Sequence, residues 1–148
     1  MDTSADLLSP DACIFCSIIA GRAPATVVYQ DEHTLAFMDI NPATSGHVLV
    51  VPRRHARDIF DVSEEDAQHV MRTVVRVARA IDRALEPDGV NLIQASRRAA
   101  FQSVYHFHMH IVPRWFGDGI APPWRRVPGD PKALRETGAR IRRELESQ

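Results

Sequence analysis

Tyr105-His106-Phe107-His108-Met109-His110-Ile111-Val112 sets three histidines at alternate positions with large apolar residues between them. In extended backbone successive side chains point to opposite faces, so the imidazoles share one face while Phe107, Met109 and Ile111 take the other. The stretch reads as a strand with one chemical face and one core face. Residues two apart on a strand lie about 6.5 Å from each other, so neighbouring imidazoles can meet on one metal or phosphate. His106 and His110, about 13 Å apart, cannot easily do so, and the three rings are expected to have different jobs. Histidine is an uncommon choice for a merely wet sheet face. Spacing alone leaves open a carbonic-anhydrase-like metal site that uses two of the three.

The rest of the chain supplies a frame for this strand. Immediately before it, 96–103 is a polar loop carrying Gln102 and Ser103, and 90–95 reads as another strand entered through the turn Pro87-Asp88-Gly89. Further upstream, Ser63 caps a helix, with Asp66 three residues on in capping-box fashion. Apolar residues at 67, 70, 71, 74, 75, 78, 81 and 85 hold helical periodicity to Pro87 and leave Arg72, Arg76, Arg79 and Arg83 on the wet side. Three β-like runs, 26–30, 34–40 and 47–51, are joined by short turn-rich links and are expected to pair antiparallel, with Pro52 ending the third. Residues 13–20 form one or two helical turns closed by Gly21. Pro113 stops the histidine strand, 115–129 is irregular, and Asp130 with Pro131 starts a terminal helix over 131–146. The expected fold is α+β: a five-stranded, mainly antiparallel sheet with one long helix and short terminal helices. Residues 1–12 read as a flexible lead-in and 13–148 as a single domain.

Composition sets the outer bounds. A chain of 148 residues with 45% hydrophobic content fits one globular domain, and a net charge of −1 gives no global drive toward nucleic acid or membrane. Of the 18 basic residues all but Lys132 are arginine. No apolar run approaches the length of a spanning helix, and residues 1–11 lack the basic residue of a secretory signal, so a cytoplasmic location is expected. There Cys13 and Cys16, the only cysteines, are not expected to form a structural disulfide, and their C-x-x-C spacing suits a metal knuckle or a redox pair.

Two thiols with two imidazoles from separate segments would make a closed tetrahedral zinc site. His55 and His106 are reasonable partners, although His33 and His69 compete with His55 on sequence grounds, and two buried unligated cysteines are the alternative. The middle of the histidine strand suits phosphate chemistry better. A neutral imidazole attacks phosphorus near neutral pH, and its adduct is labile to water. Neighbouring imidazoles, amide donors from Gln102 and Asn91 and the Ser103 hydroxyl would stabilise oxygens and leaving group. Asp39, at a strand end, is suited to accept ribose hydroxyls or to cap a turn.

The order of these segments resembles the histidine triad (HIT) family over about residues 13–118. The resemblance is carried by the triad run His106 to Val112, by Cys13-Ile14-Phe15-Cys16 with Ile18, by Ala36-Phe37-Met38-Asp39-Ile40, by Gly46-His47-Val48-Leu49-Val50-Val51-Pro52 with His55, and by Gln102-Ser103-Val104. Within the family it resembles the branch of nucleoside phosphoramidate hydrolases and related dinucleoside polyphosphate enzymes. It implies that His108 attacks the α-phosphate of an AMP-X substrate to form a nucleotidyl-histidine that water resolves, with His110, Asn91 and Gln102 on the phosphate, Ser103 by the leaving group and His47 supporting the cluster. Asp39 and Ile40 would hold the ribose, and Ile14, Phe15, Ile18 and Phe37 would enclose the purine. Structural zinc on Cys13, Cys16, His55 and His106 and a homodimer are likewise implied by the resemblance. Phe101 stands where many members carry glycine, which puts the close approach of backbone to phosphate in question, and Arg97 or Arg98 would be the substitutes.

Overall fold

The computed structural model describes residues 10–148; the lead-in expected over 1–12 lies mostly outside them, and Pro10–Ala12 form a single 3-10 turn. Two compact units are present, one ending at Asp118 and one spanning Gly119–Gln148. The first holds α1 (Ile14–Ile19), β1 (Val27–Gln30), β2 (Thr34–Met38), β3 (Val48–Pro52), α2 (Glu64–Leu85), β4 (Gly89–Ile93) and β5 (Met109–Arg114). The strands form one five-stranded sheet in the order β1-β2-β3-β5-β4, with every neighbouring pair antiparallel. This is the α+β fold read from the sequence.

Short-range chemistry sets the helix ends where the sequence puts them. The Ser63 hydroxyl accepts the Asp66 N–H at 3.1 Å, and the Cys13 thiol accepts the Cys16 N–H at 3.4 Å. Along α2 the buried stripe is Val70, Thr73, Val74, Val77 and Ile81, each apolar side chain worth about 1.5–3 kcal/mol on transfer from water. Met71, Val75 and Leu85, expected on the same face, are instead exposed. The helix is apolar over a wider arc than the sheet covers.

β2 and β3 are buried on both faces. Ala36, Val48, Val50, Phe107 and Ile111 pack with α2, whereas Leu35, Phe37, Leu49 and Val51 pack with Phe15 of α1 on the opposite side. Pro52 is the last residue of β3, as expected, whereas Pro113 lies inside β5, which runs one residue past it. Pro52 pairs with Thr34 and Pro113 with Val90, each beyond the last residue at which β3 and β5 face each other, so neither missing N–H leaves a ladder bond unmade. The second unit holds α3 (Pro131–Glu146), whose N-cap Asp130 accepts the Ala133 N–H at 2.9 Å.

Candidate active site and metal centre

The histidine segment keeps its two faces but not its full strand. β5 begins at Met109, so of the three histidines only His110 lies within it. The Phe107 N–H goes to Ala56 O at 2.7 Å, and the His106 carbonyl is taken by the His108 ring at 2.6 Å, so the groups a ladder needs are already committed. Phe107 and Ile111 still enter the α2 core, while His106 and His108 meet Phe15 edge-on, at ring-centroid separations of 6.0 and 5.1 Å.

His106, fully buried, joins Cys13, Cys16 and His55 in a tight knot. Its Nδ1 lies 3.5 Å from both sulfurs and 3.2 Å from His55 Nδ1, and Cys16 Sγ lies 3.3 Å from His55 Nδ1. A tetrahedral ion with bonds of about 2.3 Å to sulfur and about 2.05 Å to nitrogen fixes S···N edges near about 3.5 Å and an N···N edge near about 3.3 Å. The knot has those edges. His106 Nε2 donates to Pro52 O at 2.8 Å, which leaves the Nδ1 lone pair aimed inward. Burial and the neighbouring thiol push Cys16 up to about 12, and burial takes His106 down to about 4. Cys16 and His106 therefore stay uncharged there until a cation compensates. His55 Nε2 is buried without a partner among the described residues. The set fits zinc, and His55 rather than His33 or His69 is the second imidazole; those two instead stack on each other at 3.7 Å.

The second cluster contains His47, His108, His110 and Asp39. Backbone groups fix its tautomers, because a carbonyl only accepts and an amide N–H only donates. His108 Nδ1 donates to the His106 carbonyl, so its lone pair is on Nε2. His47 Nδ1 accepts the Ala43 N–H at 3.0 Å, so neutral His47 carries its proton on Nε2, which lies 2.9 Å from His110 Nδ1 and 3.4 Å from Asp39 Oδ2. His110 then accepts on Nδ1 and keeps its proton on Nε2 as a donor. The His108 and His110 rings are 4.9 Å apart. All three imidazoles are held neutral: burial lowers His47 against the pull of Asp39, burial lowers His108, and burial with the two neighbouring rings takes His110 down to about 4. A neutral nucleophile thus stands beside a neutral donor.

The other anticipated residues divide. Asp39 faces His47 with one oxygen and caps its turn by accepting the Asn41 N–H at 2.8 Å with the other. Phe15 and Phe37 are buried edge-to-face at 5.2 Å and form a floor, while Ile14, Ile18 and Ile40 remain open to solvent to differing degrees. Gln102 is committed to backbone: Nε2 donates to Arg57 O of another segment and to Val104 O, and Oε1 accepts the Arg97 N–H. Asn91 sits opposite Val112, two residues along β5 from His110, and its amide oxygen accepts from Arg114 Nη1 at 2.7 Å. Ser103 is exposed. Phe101 has φ 65° and Arg97 φ 72°, so this loop keeps a glycine-type backbone without glycine, and the Phe101 ring is 89% exposed. Sequence reasoning missed the orienting backbone groups, Ala43 N–H and the carbonyls of Pro52 and His106. A backbone group leaves no residue-type signal.

A family profile described as HIT domain matches residues 20–117. "Protein hit" of Bacillus subtilis is 42% identical, over 91% of this chain and 95% of its own. The adenosine 5'-monophosphoramidase hnt1 of Schizosaccharomyces pombe is 34% identical, over 88% and 96%. Among solved structures, a HIT family protein from Bacillus anthracis superposes with TM-score 0.85 at 38% identity, covering 90% of this chain and 97% of that one. A Zn-bound histidine triad family protein from Mycobacterium smegmatis gives 0.72 at 36%, covering 95% and 100%. With the profile match over residues 20–117, identities up to 42% across most of both chains and superposition at TM-score 0.85, the chain belongs to the HIT family.

Proposed function

We propose that the chain cleaves AMP-X substrates at the α-phosphate through a nucleotidyl intermediate on His108. The observation that carries this is the 2.6 Å bond from His108 Nδ1 to the His106 carbonyl, which leaves Nε2 as an uncharged lone pair. Attack by Nε2 on phosphorus forms an N–P bond and breaks the bond to the leaving group, which takes a proton from solvent relayed through the Ser103 hydroxyl, while His110 Nε2–H hydrogen-bonds a phosphate oxygen and keeps its proton. The adduct is cationic, and its Nδ1–H remains on the His106 carbonyl. Water then breaks the N–P bond and releases AMP. Asp39 and Ile40 take the ribose, and Ile14 and Ile18 rim the purine over Phe15 and Phe37. The name of the fission-yeast relative supports a phosphoramidate among the substrates.

In this reading Cys13, Cys16, His55 and His106 hold a structural zinc, supported by the knot's edge lengths and by the Zn-bound relative. That ion would supply cross-linking between α1 and the histidine segment. The chain acts as a homodimer, supported by the open edge of β4 with exposed Val90, Leu92 and Ile93 and by the uncovered Met71 and Val75 of α2. Among the described residues no helix is long and apolar enough to cross a membrane, and a cytoplasmic location is part of the reading.

The committed amide of Gln102 and the glycine-type backbone at Phe101 favour a second reading, a nucleotide-binding module with little turnover. A panel of adenosine phosphoramidates and dinucleoside polyphosphates, each with water or inorganic phosphate as acceptor, separates the two. Turnover that His108→Ala abolishes supports the enzyme, and phosphate as acceptor makes it a phosphorylase. AMP binding with no turnover of any member supports the module.

A further inference from the structure

The loop that leads to the triad holds two residues at positive φ, Arg97 at 72° and Phe101 at 65°, and both side chains are exposed. Glycine would hold either position without strain, so packing does not explain the choice, and strain of this kind gathers where a chain meets a ligand. The loop closes at the residue before Ser103: Arg97 O accepts the Gln102 N–H at 3.2 Å, and the Arg97 N–H donates to Gln102 Oε1 at 2.7 Å. Arg97 therefore stands beside the hydroxyl proposed for the leaving group. Its guanidinium lies over the Phe60 ring, 4.1 Å from the centroid, and Phe60 is itself 69% exposed. Stacking occupies the face of a guanidinium and leaves its in-plane N–H groups free to donate. The shelf is held in place, with Ile59 N–H on Ser96 Oγ and Phe60 N–H on Asp58 Oδ1, each at 3.0 Å. Asp61 is engaged with Arg57, through its N–H at 2.8 Å and its Nε at 3.5 Å. Neither Arg97 nor Arg98 makes an ion pair among the described residues.

We infer that Arg97 and Arg98, with the Phe60 shelf behind them, form a subsite for the phosphates beyond the scissile bond, so that adenylyl anhydrides with a polyphosphate leaving group are favoured over phosphoramidates of an uncharged amine. When His108 Nε2 bonds to the α-phosphorus of such an anhydride, the P–O bond to the next phosphate breaks and its electron pair stays on the departing oxygen. The two guanidiniums offset that charge before any proton reaches it. An amine leaving group brings no such charge and gains nothing from them. The choice of leaving group rests on the proposed function, whereas the binding of a polyphosphate rests on the loop alone.

The test pairs diadenosine tetraphosphate with adenosine phosphoramidate as substrates, and a methylene-bridged, uncleavable diadenosine tetraphosphate with AMP as ligands, all at one salt concentration. The expected result is that Arg97→Gly and Arg98→Gln each lower kcat/KM at least tenfold more for the tetraphosphate than for the phosphoramidate, and weaken the bridged analogue at least tenfold more than AMP. Because glycine suits the backbone at that position, the unfolding midpoint of Arg97→Gly should stay at or above that of the parent chain. Should Arg97→Gly fail to fold, Arg98→Gln carries the same comparison. Equal losses on both substrates and both ligands overturn the inference, as does a parent chain that binds the bridged analogue no more tightly than AMP. A lowered midpoint in Arg97→Gly with the analogue's affinity unchanged also overturns it, and makes Arg97 a brace for Phe60. Analogue binding that depends on the arginines in a chain that turns over neither substrate keeps the subsite and removes the proposed function; phosphoramidate turnover with analogue binding indifferent to both arginines does the reverse.

Discussion

The cysteine knot and the imidazole cluster grow from the same run of five residues, yet they are opposite kinds of site. In the knot, His106 gives its outer nitrogen to a carbonyl and its inner one to three other soft donors, and every direction is filled by protein. In the cluster, His108 gives its inner nitrogen to a carbonyl and leaves the outer one with nothing bonded to it among the described residues. Turning the proton from Nε2 in one ring to Nδ1 in the ring two positions on converts a ligand into a nucleophile. The two sites share one atom group: the His106 backbone, whose ring closes the knot and whose carbonyl orients His108.

The largest expected break in this comparison is His108→Ala. Turnover of an adenosine phosphoramidate should fall by about 10³-fold or more, about 4 kcal/mol of transition-state stabilisation, while thermal unfolding stays near that of the parent chain. Cys16→Ser or strong chelation should act the other way round. Stability should drop by several kcal/mol in thermal unfolding and metal content should fall, with activity lost only as the fold is lost. A chelator that stops catalysis without lowering the unfolding temperature would merge the two sites into one catalytic metal centre.

Acid sharpens the contrast further. His110 sits near about 4 and His47 is lowered, against about 6.5 for an unfolded imidazole. Between those values the unfolded chain binds protons that the folded chain refuses, so this contribution to stability is present above about pH 6.5 and is lost as pH falls toward about 4. Activity carried by neutral rings should hold well below pH 6.5 before protonation of His110 ends it. A kcat/KM profile that breaks near pH 6.5 would show the rings to be ordinary exposed imidazoles.

How much of this is legible in the sequence follows from what each feature depends on. The two faces of the histidine run survive because alternation needs only extended backbone, even where ladder bonds fail before Met109. The caps at Ser63 and Asp130 are visible because each is a bond over three residues between residue types that favour it, whereas the thiol cap at Cys13 is not, since cysteine is not a usual N-cap. The covered face of α2 is misread at Met71 and Val75 because periodicity gives an apolar arc, while the neighbour that covers it is set by topology. Gln102 and Asn91 are assigned to phosphate by residue type, yet their partners, Arg57 and Val104 for one and Arg114 for the other, depend on loop path and strand register. Proline punctuation holds at Pro52, the last residue of β3, and fails at Pro113, because the cost of a missing N–H depends on whether a partner strand is present on that side of the residue.

The smallest expected effect is at the loop. Phe101 holds left-handed backbone at φ 65°, so Phe101→Gly should raise stability by up to about 1 kcal/mol in denaturant unfolding. The same change should raise turnover if the exposed ring hinders substrate, and leave it unchanged if the ring only shields the loop.

The most direct measurement is the attachment point of the nucleotide. An adenosine phosphoramidate mixed with excess enzyme, quenched in alkali and read by mass spectrometry and by phosphorus–nitrogen NMR correlation, should show AMP on His108 through Nε2. Linkage through Nδ1, an adduct on another residue, or turnover that never accumulates an adduct in His110→Ala or in the parent chain would contradict the assignment of that ring as the nucleophile.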